Sequence, residues 1–196
     1  MHMKKIALQA GDALIITDVQ NDFLPGGRLA IQMGDAIIPT LNRYIHLFSP
    51  RKLPIFASRD WHPKDHCSFK TQGGEWPPHC VAETIGAAIA SDLELPEGAT
   101  TISKSTEKEH HAYSCFEGTT LDEKLKAEQI KRLFIGGLAT DYGVMATVMD
   151  GLKRGYEVCF LEDAIRAINR ERLDGIRAER KMYTKGALPI TLEQLQ

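Results

Sequence analysis

A single α/β domain, with a mostly parallel sheet covered by helices on both faces, is the fold class this sequence predicts. Three observations carry the prediction. A chain of 196 residues suits one compact core better than two domains. Short β-rich runs alternate with helical ones along it. No repeat, low-complexity tract or linker interrupts the alternation. Such an order favours parallel pairing, because each crossover helix returns the chain to the end of the sheet where the last strand began.

The first strand is ALIITDV (13–19), an apolar run of the length a buried strand needs. DAIIPTLNRYIHLF (35–48) has apolar residues at helical spacing, and PIFAS (54–58) is a second strand entered through proline. A long loop follows, then a weak helix near 83–90 and a third strand at TTIS (100–103). Thr120 and Glu123 stand at the spacing of a capping box, which predicts a helix from there to about Gln129. RLFIGG (132–137) is the fourth strand. A helix from about Tyr142 to Arg154, closed by Gly155, leads to strand EVCFLE (157–162). A charged helix over about 170–182 and a last strand near LPIT (188–191) complete the pattern. The segment NRERLDGIRAERKMY (169–183) reads as a solvated face rather than an interface, and a homo-oligomer is left open.

Composition narrows the function classes. Lys and Arg total 24 against 26 Asp and Glu, and the basic residues are scattered rather than gathered in a stripe. That excludes the usual electrostatic footprint for nucleic acid and favours a small-molecule partner. No run approaches the roughly 18 apolar residues of a membrane span, and the start lacks the apolar core of a signal peptide. The expected location is cytoplasmic, with the initial Met-His-Met read as a cloning remnant. The cysteines Cys67, Cys80, Cys115 and Cys159 form no CxxC pair, as expected of reduced thiols.

Ligands of parallel α/β sheets bind beyond the carboxyl ends of the strands. The residues following the first four strands are Asp18, Ser58-Arg59-Asp60, Lys104 and Thr140-Asp141-Tyr142-Gly143, so these are expected to converge on one crevice. Asp18 alone is as readily a turn or helix cap, and Lys104 alone is more often a solvated loop residue. Together they support each other, since a half-buried carboxylate and ammonium are each destabilising unpaired, and an Asp–Lys pair can transfer protons. In SRDWHPKDHCSFKTQGGEWPPHC (58–80), Asp60 and His62 alternate at strand spacing, with His66 and His79 on the same loop. An isolated histidine is usually structural. One carboxylate with two or three imidazoles suits a divalent transition ion with open water positions.

Several motifs occur together and in order: DVQNDFLPGG (18–27), SRDWHP with HCSF (58–69), WPPHC (76–80), a strand-end lysine before AYSCFEGT (112–119), and GLATDY (137–142). As a set they resemble the nicotinamidase/pyrazinamidase group of isochorismatase-like hydrolases. The resemblance spans nearly the whole chain. It implies a three-layer α/β/α fold with a six-stranded, mostly parallel sheet, and hydrolysis of nicotinamide or a related pyridine or pyrazine carboxamide through a thioester. It further implies that Asp18 is the general base, that Lys104 is the cation beside it, and that Asp60, His62 and His79 hold one divalent ion, with His66 a fourth candidate. Zinc is the first choice for that ion, and iron and manganese suit the same ligands. Phe23, Trp76 and Tyr113 match positions that sandwich the substrate ring. Ala139 matches the residue after a cis peptide whose N–H faces the developing oxyanion, beside the N–H of residue 143.

The family's cysteine corresponds to Gly143, and here the pattern breaks. Deleting the nucleophile from such a unit costs on the order of 10⁶ in kcat, so the thioester route through residue 143 is expected to be lost. Of the remaining thiols, Cys115 is the one candidate for a substitute. Cys80 and Cys159 read as packing residues, and Cys67 as a loop thiol beside the metal segment. Three explanations are open: a nicotinamidase site whose nucleophile was removed or lost, a hydrolase using Asp18 and Lys104 without a nucleophile, as isochorismatases do, and a non-catalytic protein that binds nicotinamide or metal.

Overall fold

The computed structural model describes residues 5–195, so the initial Met-His-Met lies outside the described residues. Its sheet comprises β1 (Asp12–Thr17), β2 (Ile55–Asp60), β3 (Thr100–Lys104), β4 (Arg132–Leu138), β5 (Glu157–Arg166) and β6 (Leu188–Ile190). They lie in the order β3-β2-β1-β4-β5-β6, and every neighbouring pair is parallel.

The central strand β1 explains why the sequence reads as an unbroken apolar run. Leu14 and Ile16 enter one core while Ala13 and Ile15 enter the other, and a strand covered on both faces has no polar side to alternate with. The helix α1 (Ile38–Phe48) closes the first core through Leu41, Tyr44, Ile45 and Phe48, which recur at helical spacing. On the opposite face, α2 (Leu121–Ala127), α3 (Met145–Lys153) and α4 (Asp174–Thr184) contribute Leu121, Leu125, Val148 and Met182. Each such side chain, fully buried, stabilises the fold by about 1.5–3 kcal/mol. The layers are therefore helix, sheet and helix.

Local chemistry moved several boundaries. The expected helix near 83–90 is a single 3-10 turn, Ile85–Ala87. Its carbonyls are taken by side chains of another loop, Asn21 Nδ2 on Ile85 O and Gln20 Nε2 on Ala87 O. The helix α2 forms where expected, but the capping box does not. Thr120 sits at φ −92, ψ 12, outside the extended backbone of a capping residue, and its side chain caps no helix N–H; the one before it, Thr119 Oγ1, accepts the Leu121 N–H at 3.2 Å. The chain from Thr140 to Val144 makes a π turn before α3 begins, and Gly155 at φ +88 follows the helix. The last helix starts only at Asp174, because Leu173 before it is left-handed at φ 77. Strand β5 runs on to Arg166, since the pairing shifts after Ile135 and resumes with Gly137 opposite Ile165.

The strand order locates the site. The chain adds β2 and β3 on one side of β1, then returns to lay β4, β5 and β6 on the other. Such a reversal leaves a crevice at the carboxyl ends of the two strands that flank it, here β1 and β4. Gly137 lets those strands approach. It sits at φ +113, and a Cβ there would lie 2.2 Å from the carbonyl oxygen of Thr17. The Thr17 hydroxyl then lies within bonding distance of the carbonyls of Gly136 (3.1 Å) and Leu138 (3.0 Å).

Candidate active site

Asp18, directly after β1, is buried at 3% exposure and holds the left-handed region at φ 51. Such backbone is uncommon outside glycine and concentrates at functional sites. Its Oδ1 accepts from Ser58 Oγ at 2.6 Å, and its Oδ2 lies 3.0 Å from Lys104 Nζ. Lys104 ends β3 opposite Asp60 on β2, and its ammonium also donates to Asp60 Oδ1 and to the carbonyl of Ala112. One fully buried cation thus joins two buried carboxylates. The three act differently on a proton. Burial pushes the Asp18 carboxyl up to about 6, against the pull of Lys104. For Asp60 burial acts in the same direction, but Lys104 and His62 outweigh it and hold the group at about 2. Burial opposes the charge of Lys104, and the two carboxylates more than offset that, keeping it above the usual lysine range.

Beside Asp60 lie four imidazoles. His62 Nδ1 donates to the carbonyl of His79 at 2.9 Å and His79 Nδ1 to that of Pro77 at 2.8 Å, which leaves both Nε2 atoms with a free lone pair. His62 is fully buried and its Nε2 has no partner among the described residues. Burial also lowers both imidazoles, His62 to about 4, so they remain neutral near pH 7. Ligand atoms of Asp60, His62 and His79 all lie within 4.8 Å of one another. A carboxylate and two neutral imidazoles oriented by backbone carbonyls fit a divalent transition ion, and the orphaned Nε2 is the atom such an ion would satisfy. The ring of His66 lies 4.4 Å from that of His62, but its Nδ1 is bonded to Ser68 Oγ (2.7 Å) and its Nε2 to His110 O (3.0 Å). Ligation by His66 would break one of these bonds.

The three aromatic candidates gather around His79 and the turn after β4. Phe23 packs on His79 at 5.6 Å, and Trp76 stands edge-on to Tyr142 at 5.2 Å while its Nε1 donates to Tyr113 OH at 3.0 Å. The Leu138–Ala139 peptide is cis, as the resemblance implies. Asp141 ties the turn to the chain beyond β5, accepting the N–H groups of Ile168 and Asn169 at 2.9 Å each. Gly143 faces the base. A Cβ built on it would meet Asp18 Oδ2 at 2.9 Å and Leu138 O at 3.1 Å, and no left-handed backbone requires glycine there.

Four participants were not singled out from the sequence. Ser58 was grouped with Arg59 and Asp60, yet of those three it is the one that bonds Asp18. Gln20 braces Asp60 at both backbone groups, Oε1 accepting its N–H and Nε2 donating to its carbonyl, each at 2.8 Å. His111 stacks 6.4 Å from His62 with both ring nitrogens unpartnered, and its ligand atom groups with those of His62 and His66. Thr147 bonds back to Gly143 O at 2.7 Å. Each is fixed by tertiary contacts. Only the second histidine of His110-His111 before the AYSCF motif offered a local hint.

The chain is similar to known proteins along nearly its whole length. The isochorismatase domain family matches residues 12–194. The nicotinamidase of Escherichia coli (strain K12) is 35% identical over 201 residues, covering 92% of this chain and 94% of that protein. The zinc complex of the pyrazinamidase of Pyrococcus horikoshii superposes with a TM-score of 0.89 at 46% identity, covering 93% of this chain and 99% of that one. A protein of L. infantum in complex with nicotinate superposes at 0.91 with 32% identity and 98% coverage of both chains.

Proposed function

We propose that this chain, which belongs to the isochorismatase family of hydrolases and within it to the nicotinamidase/pyrazinamidase group, is built to bind and hydrolyse nicotinamide or a related aromatic carboxamide. The observation that carries the reading is the Asp18–Lys104–Asp60 cluster, a base of raised pKa and a metal-type carboxylate joined by one buried ammonium. Asp18, held near 6, is poised to take and return a proton around neutrality. Lys104 keeps both carboxylates tolerable in a buried site and adds positive charge where an oxyanion develops. Phe23, Trp76 and Tyr113 form the apolar seat of the ring, and the N–H groups of Ala139 and Gly143 receive the oxyanion.

Asp60, His62 and His79 would hold one divalent ion. When bound, that ion supplies a Lewis-acid contact for the ring nitrogen of a pyridine or pyrazine. Zinc suits the donor set, and the zinc complex of the Pyrococcus horikoshii pyrazinamidase supports it. The four free thiols support a reducing, cytosolic setting. Thioester formation at residue 143 is closed to this chain, because glycine carries no thiol. The metal-type ligand set argues against isochorismate as substrate.

Calorimetry tests the reading. Nicotinamide is expected to bind the zinc-loaded protein and to lose affinity when the metal is removed, and Gly143→Cys is expected to release ammonia. Its Cβ would meet Asp18 Oδ2 at 2.9 Å and the main-chain oxygen of Leu138 at 3.1 Å, so both must give way slightly to admit it. A folded, metal-loaded Gly143→Cys protein that neither binds nicotinamide nor releases ammonia overturns the reading.

A further inference from the structure

We infer that Cys115 supplies the thiol that this site lacks at residue 143, attacking the carboxamide carbon with Asp18 as its base. The inference rests on the carboxamide-hydrolase reading above. Cys115 lies on the loop that also carries Tyr113 and is buried at 1% exposure. Its main-chain N–H donates to Thr147 Oγ1 at 3.0 Å, and that hydroxyl donates to Gly143 O at 2.7 Å. One threonine therefore fixes Cys115 and Gly143 relative to each other. The thiol lies beside the hydroxyls of Ser58 and Thr147 and feels the charges of Asp18 and Lys104. Ser58 Oγ in turn bonds Asp18 Oδ1 at 2.6 Å, so a single hydroxyl separates thiol from base. Residue 143 approaches the same carboxylate from its Oδ2 side, and the Cβ position there is 3.6 Å from Tyr113 O, two residues before Cys115.

No other cysteine is placed this way. Cys159 sits on β5 beside Arg132 and Asp12, away from the dyad. Cys80 is packed in the opposite core, where burial first and then the carboxylates of Asp60, Asp22 and Asp18 oppose its ionisation. Cys67 is only half-buried on the loop before Ser68.

The step balances without an added reagent. Burial and Asp18 push the Cys115 thiol up to about 11, so it rests as S–H. As its sulfur bonds to the carboxamide carbon, its proton passes to Asp18 by way of Ser58, and the carbonyl oxygen becomes the oxyanion. Collapse breaks the C–N bond, and Asp18 returns the proton to the departing nitrogen, which leaves as ammonia. Water then gives a proton to Asp18 and attacks the thioester carbon, and the C–S bond breaks as the sulfur regains that proton. The net change is amide plus water to acid plus ammonia. Glycine at 143 leaves the space beside Asp18 Oδ2 to the reacting carboxamide.

The test is ammonia release from nicotinamide by the zinc-loaded, unaltered chain and its variants. The unaltered chain is expected to turn over. Cys115→Ala and Cys115→Ser, each checked for an unchanged melting temperature and metal content, are expected to fall on the order of 10⁶-fold, to background. Cys159→Ala is expected to match the unaltered chain. Full activity in both Cys115 variants overturns the inference. So does an inert unaltered chain whose Gly143→Cys variant is active, which leaves the carboxamide site itself standing. If neither the unaltered chain nor Gly143→Cys binds or turns over nicotinamide, the site reading fails together with the inference.

Discussion

The half of the site carried by β1, β2 and β3 is held together by charge, whereas the half carried by β4 and α3 is held by backbone. In the first, Asp18, Asp60 and Lys104 are buried and mutually dependent, and His62 and His79 are oriented by main-chain carbonyls. Removing Lys104 leaves two buried carboxylates without their cation. In the second, the close strand approach at Gly137, the Asp141 bonds to Ile168 and Asn169, and the Thr147 bond to Gly143 O shape the turn. None of these needs a particular side chain at residue 143. Losing Lys104 therefore strands charge in the first half, while the second half is held by bonds that glycine at residue 143 satisfies with its backbone alone. A nucleophile can be absent from that position without disturbing the geometry that would serve it.

Substitutions in the charged half should show this dependence most strongly. Asp18→Asn keeps the shape and removes the base, so carboxamide turnover is expected to fall about 10²–10⁴-fold, measured as ammonia release. A loss under tenfold would assign the proton transfer elsewhere. Lys104→Met strands two buried carboxylates and is expected to cost about 3–5 kcal/mol of stability, read from a urea melt. A cost below about 1 kcal/mol would mean that the cluster relaxes into water. Gln20→Ala frees the backbone of Asp60 and should weaken metal affinity by about 10–100-fold in chelator competition. Unchanged affinity would show that Asp60 is positioned without it.

The smallest effect expected is on pH dependence. The folded chain holds the Asp18 proton up to about 6, against an ordinary value of 3.8. The stabilisation this group gives is thus full below 3.8 and lost as pH rises through about 6. The ionised base appears over the same window, so kcat/KM is expected to climb towards a plateau above about 6. A flat profile from pH 5 to about 7 would contradict the assignment of Asp18 as base.

Legibility in the sequence followed the same division. Asp18, Asp60 and Lys104 could be read because each ends an apolar run, and the strand-end rule turns chain order into proximity. His62 and His79 could be read because their spacing is local. Ser58, Gln20 and Thr147 could not, since each acts through a partner 40 or fewer residues away that only folding brings near. The capping box at Thr120 failed because the backbone there, at φ −92 and ψ 12, is not the extended one a capping residue needs. The expectation of an inert chain rests on glycine at position 143, with Cys115 the one thiol the sequence offers as a substitute. What a sequence cannot give is that the loop after β3 and the turn after β4 meet at one threonine, Thr147, which bonds both the Cys115 N–H and the Gly143 carbonyl.

The most direct measurement is to quench the zinc-loaded chain with acid during turnover of nicotinamide and map the peptides by mass spectrometry. The account predicts a nicotinoyl group on the peptide containing Cys115 and on no other thiol. Turnover with the acyl group on Cys67, or with no acylated thiol in a sample quenched during the first turnovers, would contradict it.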